Sequence, residues 1–206
     1  MSNQEASDLL VGLLTSNCRK YPHLQIALTR FSQFPETLQG VVNHAKLMSE
    51  WGAKINLVSD LELSSIIKLH TFDSVAAWSY LQSCFDTSGL DLVDVGSGNG
   101  FPGIVFSCLG SYSTSLLIEP RLKRIVFLEE VIRRSEVLSQ RVKTRNCLVE
   151  SYTSKPSDLV VTRATGIDIA AKCPQAKCHV ILGRDQRGES YNPLDPSSRL
   201  YISKTE

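Results

Sequence analysis

Residues 92–103, with the sequence LVDVGSGNGFPG, decide the fold of this chain. The mostly apolar start predicts a buried strand that runs directly into alternating glycines. Glycine adopts positive φ and lets a ligand approach the backbone without a Cβ in the way, and Pro102 suits the first turn of a following helix. Because open α/β sheets bind ligands at the carboxyl ends of their strands, the stretch predicts a nucleotide-binding turn.

Short apolar runs alternate with amphipathic ones from Gly89 onward. Strands are predicted at 92–95, 115–119, 158–161 and 179–182, with a helical stripe over 122–132. Parallel neighbouring strands need crossover connections, so this alternation predicts an α/β fold, a mostly parallel sheet flanked by helices on both faces. The alternating run 199–203 predicts an additional edge strand.

The first part of the chain shows helical periodicity instead. Its apolar stripes predict a helix that ends near Asn17, a second over 38–48 and a third over 63–81. Between the last two, the word WGAKINL at 51–57 predicts a turn or loop, because glycine and asparagine interrupt the pattern. We therefore divide the chain into an N-terminal helical region, residues 1–88, and a Rossmann-like region, residues 89–206.

Composition indicates a soluble globular protein. The 206 residues are 42% hydrophobic and 21% charged, and 22 basic residues against 21 acidic ones give a net charge of +1. These values exclude collagenous, disordered and highly basic chains. No run approaches the roughly 18 apolar residues of a membrane span, and the start lacks the pattern of a secretory signal, so we expect a cytoplasmic protein without a membrane partner. Six scattered cysteines without zinc-site spacing predict reduced thiols and no metal site.

The glycine loop fits two ligands, depending on the register. Residues 98–103 satisfy the dinucleotide pattern GxGxxG, but the first glycine of this pattern, Gly98, lies two residues after Gly96, the first glycine that follows the predicted strand. Residues 94–100 satisfy DxGxGxG directly after the strand, which fits a methyltransferase loop, with the amino-acid part of S-adenosylmethionine against the turn. Glu119, at the end of the second strand, could then accept hydrogen bonds from both ribose hydroxyls.

Several sequence motifs together resemble those of one family. They are WGAKINL at 51–57, HTFDS at 70–74, DVGSGNGFPGI at 94–104, KRIVFL at 123–128 and TRA at 162–164. In this order they resemble the bacterial RsmG or GidB methyltransferases, which modify guanine N7 in the small-subunit (16S) ribosomal RNA. The resemblance covers roughly residues 45–165 and implies a class I S-adenosylmethionine-dependent methyltransferase fold.

The resemblance also implies roles for individual residues. Gly96 and Phe101 match positions that contact S-adenosylmethionine, Val149 and Glu150 match the pair beside its adenine, and Arg163 matches the arginine that closes the site. With the glycine loop and the second strand included, the predicted cofactor-binding residues are Gly96, Gly98, Gly100, Phe101, Glu119, Val149, Glu150 and Arg163. Arg163 is also the predicted catalytic residue, holding the cofactor carboxylate or the guanine; from the residues alone, a surface ion pair explains it equally well.

Basic residues concentrate between 121 and 145, although the whole chain is nearly neutral. This run predicts either an RNA-binding face, with Lys123 and Arg124 as RNA-binding residues, or the solvated face of a helix. The predicted partner is 16S ribosomal RNA or the small ribosomal subunit, and we expect a monomer. His70 and Asp73 predict a packing pair between the helical region and the methyltransferase region.

Two other functions stay open at this point. The register of residues 98–103 would suit a nicotinamide-dependent oxidoreductase. A relative that binds RNA or cofactor without methyl transfer is the other, because the chain has Thr165 where the family has phenylalanine and Gly183-Arg184 where it has Lys-Gly. The short span from Arg163 to His179 further predicts that one helix is trimmed.

Overall fold

A computed structural model describes residues 1–55, 61–163, 165–184 and 188–204. Its first part is helical: α1 (Asn3–Asn17), α2 (Leu24–Gln33), α3 (Pro35–Ile55), α4 (Leu63–Ile66), a π-helical turn (Ile67–Thr71) and α5 (Phe72–Cys84). A capping box starts α1, in which the Ser2 side chain accepts from the Glu5 N–H and the Glu5 carboxylate accepts from the Ser2 N–H. The predicted end of the first helix at Asn17 and the helical segment 63–81 are confirmed.

The predicted loop at 51–57 is wrong for its first five residues. Helix α3 continues through Trp51 and Gly52 to Ile55, and Asn56 and Leu57 lie outside the described residues. The Trp51 ring centroid lies 6.1 Å from that of Phe127, and a Cβ on Gly52 would lie 2.1 Å from Leu61 Cδ2. Close tertiary packing thus outweighs the weak helix propensity of one glycine, which costs about 1 kcal/mol.

The second part of the chain forms one sheet of seven strands among the described residues. The strands are β1 (Asp91–Val95), β2 (Thr114–Ile118), β3 (Val142–Arg145), β4 (Asp158–Arg163), β5 (Cys178–Gly183), β6 (Glu189–Ser190) and β7 (Arg199–Lys204). Their order is β3-β2-β1-β4-β5-β7-β6, in which β1 to β5 pair parallel and β7 runs antiparallel to β5 and β6. The predicted mostly parallel sheet is therefore present.

The last strand corrects one expectation. Strand β7 lies between β5 and β6, not at the edge, because Glu189 and Ser190 pair with Leu200 and Arg199 and form the edge themselves.

Four α-helices lie between the strands in the described part of the chain. They are α6 (Gly103–Leu109), α7 (Leu122–Arg133), α8 (Glu136–Ser139) and α9 (Ile169–Lys172), and all but α7 are short. Within the described residues of the crossover from β4 to β5, the helical part is the four-residue α9, as the short span from Arg163 predicts.

Side chains alternate between the two faces of the sheet. Leu92, Leu117 and Leu159 join a large apolar core with the N-terminal helices, α6 and α7, whereas Val93 and Val160 belong to a smaller cluster on the other face. The large core contains residues from both sides of position 88, and the division there stays a prediction. No helix among the described residues is long and apolar enough to cross a membrane.

Candidate active site

The glycine loop lies between the ends of β1 and β2. Gly96, Gly98 and Gly100 have φ values of +71°, +56° and +91°, a region that favours glycine. The N–H groups of Gly96 and Ser97 both donate to the Ile118 carbonyl, at 2.9 and 3.0 Å. The left-handed positions thus fall in the register predicted for a methyltransferase loop.

Glu119 follows β2 and holds this loop. Its carboxylate is 3% exposed; Oε2 accepts from the Gly98 N–H at 2.9 Å and Oε1 from the Arg121 N–H at 2.8 Å. Arg124 Nη1 lies 3.7 Å from Oε2 and 3.2 Å from where a Cβ on Gly98 would lie. A carboxylate oxygen has two lone pairs, so each oxygen keeps acceptor capacity beyond its backbone bond.

Asp94 lies beneath the loop, 1% exposed. Neither of its carboxylate oxygens has a hydrogen-bond partner among the described residues, and a Cβ on Gly103 would lie 2.3 Å from Oδ2. Burial raises the pKa of Asp94 to about 7, because a desolvated carboxylate favours its neutral form. Near neutral pH this side chain is a buried group poised between its two charge states.

Two histidines from the helical region enclose Phe101. The ring centroid of His44 lies 4.5 Å from that of Phe101, and His70 stacks on Phe101 at 5.6 Å. His44 Nε2 donates to the Asn99 carbonyl at 2.7 Å, and burial lowers the pKa of His44 to about 4. Phe101 itself is 4% exposed, so the ring supports the loop from within the core.

Arg163 ends β4 and pairs with a residue of helix α5. Its Nη2 lies 2.9 Å from Asp73 Oδ2, and the side chains are 24% and 3% exposed. The alternative of an ion pair is therefore present, but its acidic partner is buried and does not lie at the surface. Arg163 Nη1 is buried and has no hydrogen-bond partner among the described residues. His70 and Asp73 both contact the methyltransferase region, through Phe101 and Arg163 respectively.

Val149 and Glu150 form a short 3₁₀ turn after β3. Val149 is buried in the same apolar cluster as Val95 and Ile118. Glu150 is exposed, and its Oε1 lies 2.9 Å from Nζ of Lys172 on α9. The structure thus places Val149 against the strands that carry the glycine loop and Glu119, while Glu150 faces outward.

The basic run 121–145 extends over α7, α8 and β3 and does not form one helix face. Several of its side chains are engaged: Arg124 with Glu119, Arg133 and Arg134 with Glu130, and Arg141 with the Ser107 carbonyl. Arg121, Lys123 and Lys143 are exposed. Lys123 lies at the start of α7, close in sequence to Glu119, whereas Arg124 covers the glycine loop.

Sequence reasoning missed the contribution of His44, and it identified Thr165 as a departure from the family pattern without its contact with the glycine loop. His44 interrupts the apolar stripe of α3, which is a detectable signal, but its contact with Asn99 depends on the fold. A Cβ on Gly96 would lie 2.6 Å from Thr165 Cγ2, and Thr165 Oγ1 lies 2.9 Å from Thr162 Oγ1. The departure from the family pattern at Thr165 therefore lies directly against the loop.

A substitution in the loop should show how tightly it is packed. We expect Gly100→Ala to cost about 2–3 kcal/mol in the free energy of unfolding, since alanine at this φ is strained and its Cβ would lie 2.8 Å from His44 Nε2. Gly89→Ala is the matched control: it has a φ of +77° but nothing within 4 Å, so it should cost only about 1 kcal/mol. Urea unfolding measures both, and equal losses would contradict the packing.

Comparison with known proteins adds a family and a fold. Residues 37–175 match the family GidB, described as rRNA small subunit methyltransferase G. Curated proteins named ribosomal RNA small subunit methyltransferase G are similar: that of Rickettsia felis is 38% identical over 102 residues, 48% of this chain and 50% of the relative. That of Rickettsia africae is 37% identical over 102 residues, with the same coverage of each chain. The chain spans about half the length of the curated relatives it matches.

A solved structure shares the fold. It is described as a candidate S-adenosyl-L-methionine-dependent methyltransferase from Methanococcus maripaludis, with a TM-score of 0.50 and 16% sequence identity, and the match covers 68% of this chain and 62% of that one. Together with the strand order, this similarity confirms the predicted Rossmann-like methyltransferase fold with N-terminal helices.

Proposed function

Since this chain belongs to the GidB family of small-subunit ribosomal RNA methyltransferases, we propose that it transfers a methyl group from S-adenosylmethionine to guanine N7 of 16S ribosomal RNA. One observation carries the proposal: three left-handed glycines follow β1, and the buried Glu119 carboxylate binds the N–H of the middle one. This arrangement places the glycine loop and the Glu119 carboxylate at the carboxyl ends of the strands, where open α/β sheets bind ligands.

The residues at this edge fit the cofactor. A Cβ on Gly96 would lie 2.6 Å from Thr165 Cγ2 and a Cβ on Gly98 would lie 3.2 Å from Arg124 Nη1, so the loop is closely packed and these positions require glycine. Glu119 could accept further hydrogen bonds from ribose hydroxyls. Arg163 Nη1, which has no hydrogen-bond partner among the described residues, could donate to a carboxylate or carbonyl oxygen. When bound, S-adenosylmethionine supplies an electrophilic methyl group on a sulfonium. We propose Gly100, Phe101, Val149 and Glu150 as the remaining members of the cofactor site.

The proposed target makes modest demands on the protein. Guanine N7 has an in-plane lone pair and no proton to lose before it attacks, so the reaction needs no general base. The chain's residues then contribute by orienting the guanine and excluding water, and such positioning can be worth effective molarities up to about 10⁵–10⁸ M. Arg163, fixed at the edge of the sheet by Asp73, is the proposed catalytic residue.

The RNA would meet the protein beside this site. Lys123 is exposed at the start of α7, and Arg121 precedes it, so both can neutralise phosphates near the glycine loop. Arg124 could join them if its contact with Glu119 opens. The proposed partner is the small ribosomal subunit or its RNA, and action as a monomer in the cytoplasm stays a prediction.

The proposal is tested by methyl transfer to small ribosomal subunits that lack the modification. Purified protein, labelled S-adenosylmethionine and nucleoside analysis should yield N7-methylguanosine. Cofactor binding by isothermal titration without any incorporation would instead identify a non-catalytic relative, and enhanced nicotinamide fluorescence without binding of the methyl donor would favour an oxidoreductase. Methylation of another nucleoside would retain the reaction class and overturn the N7 assignment.

A further inference from the structure

Asp73 is a buried carboxylate whose partners come from two distant parts of the chain. Its Oδ2 pairs with Arg163 Nη2 at 2.9 Å, and its Oδ1 accepts from the Tyr191 hydroxyl at 2.8 Å and from Asn192 Nδ2 at 2.7 Å. Asp73 is buried. A buried carboxylate is costly unless charge and hydrogen bonds compensate it, and these donors supply that compensation.

This cluster lies at the proposed active site. Val95 pairs with Thr162 across β1 and β4, so Arg163 lies level with Gly96, the first residue of the glycine loop. With Nη2 bound to Asp73, the guanidinium still has Nη1 buried and without a partner among the described residues. Asp73 therefore fixes Nη2 of the guanidinium, and the hydrogen-bonding capacity of Nη1 stays unused among the described residues.

The C-terminal segment orients Asp73 in turn. Asn192 Oδ1 accepts from the N–H groups of Leu194 and Asp195, at 2.9 and 3.3 Å, which leaves its Nδ2 directed at Asp73. Tyr191 is 1% exposed, and its carbonyl accepts from His23 Nε2 at 3.0 Å. Hydrogen bonds thus hold the amide of Asn192, and burial together with the bond to His23 holds Tyr191, so both donors to Asp73 Oδ1 are fixed in place.

We propose that Asp73 is a positioning residue that holds Arg163 ready for its ligand, and that Tyr191 and Asn192 keep the carboxylate aligned. The inference rests on the proposed function, because Asp73 positions the arginine that is proposed to be catalytic. An arginine fixed on folding loses less side-chain entropy when it binds. Because Asp73 would act only through Arg163, replacing Asp73 should have no further effect once Arg163 itself has been replaced.

The test is a double-mutant cycle on methyl transfer, using kcat/KM. We expect Arg163→Gln to lower kcat/KM about 100-fold and Asp73→Asn about 10-fold, the range typical of groups that position a reacting centre. The double variant should match Arg163→Gln within about twofold, since Asp73 has nothing left to position. A multiplied loss of about 1,000-fold, or full activity of Asp73→Asn, would overturn the proposal.

A second measurement does not depend on activity. In the wild-type protein, ¹⁵N NMR should show separate Nη signals for Arg163 because the bond to Asp73 slows rotation of its guanidinium. Asp73→Asn should merge or broaden these signals, and Tyr191→Phe, which removes only a hydroxyl, should weaken activity about threefold without unfolding the chain. Unchanged Arg163 signals in folded Asp73→Asn would refute the positioning role.

Asp86→Asn is the matched control. It neutralises an exposed carboxylate that follows helix α5 and accepts from the Ser88 N–H at 2.9 Å, and it should leave kcat/KM and the Arg163 signals unchanged. Wild-type protein that methylates no small subunit would refute the proposed function, whereas active wild type with an unaffected Asp73→Asn would refute only this inference.

Discussion

Replacing Glu119 with glutamine should weaken binding of S-adenosylhomocysteine, the product that S-adenosylmethionine becomes after methyl transfer, by about 10–100-fold. The carboxylate accepts from two backbone N–H groups, of Gly98 and Arg121, one on each oxygen. An amide has one acceptor oxygen, so one N–H would face the amide's own donors, and the glycine loop would lose its anchor. A loss of that size corresponds to about 1.4–2.7 kcal/mol. Isothermal titration with the purified variant measures it.

Glu129→Gln provides the control for this substitution. Glu129 lies on α7 and accepts from the Thr144 hydroxyl at 3.0 Å, exposed and away from the glycine loop. Its neutralisation should change cofactor affinity less than twofold. Folded Glu119→Gln that binds S-adenosylhomocysteine as tightly as wild type would show that the glycine loop and Glu119 do not form the cofactor site.

Asp94→Asn should reveal a pH dependence of stability that the wild-type protein conceals. Burial raises the pKa of Asp94 from 3.8 to about 7, so its contribution is fully present below about pH 3.8 and is lost as the pH rises through 7. Burial lowers the pKa of His44 from 6.5 to about 4, so its contribution is present above pH 6.5 and is lost as the pH falls through 4. Between these values the two slopes oppose each other.

Each substitution should therefore expose the slope of the other group. From pH 4.5 to 6.5, the free energy of unfolding of Asp94→Asn should rise by about 2–3 kcal/mol relative to wild type, and that of His44→Gln should fall by a similar amount. The double variant should again be nearly flat. Urea unfolding at both pH values checks this, and parallel profiles for wild type and Asp94→Asn would contradict the buried state of Asp94.

Much of the sheet could be predicted because its information is local. The apolar run that leads into the alternating glycines predicts β1 and the loop after it. The alternation of short apolar runs with an amphipathic helical stripe predicts that neighbouring strands run parallel. The loop expected at 51–57 and the edge position of β7 failed for a common reason. Both depended on partners outside the segment itself, Phe127 and Leu61 in one case and Glu189–Ser190 in the other.

The site divides in the same way. Its glycines and Glu119 are fixed by position relative to the strands, so their proximity follows from sequence once the strands are recognised. The sequence by itself therefore determined the fold class, the register of the glycine loop and the resemblance to its family, because these depend on backbone conformation and short-range spacing.

Only the tertiary structure decided which side chains meet across the fold. It brought Arg163 to Asp73, Asp73 to Tyr191 and Asn192, and His44 to the carbonyl of Asn99. These contacts join residues between 55 and 119 positions apart, and no local pattern encodes such pairings. They form because burial removes water from charged and polar groups, and each such group must then find its partner within the folded chain.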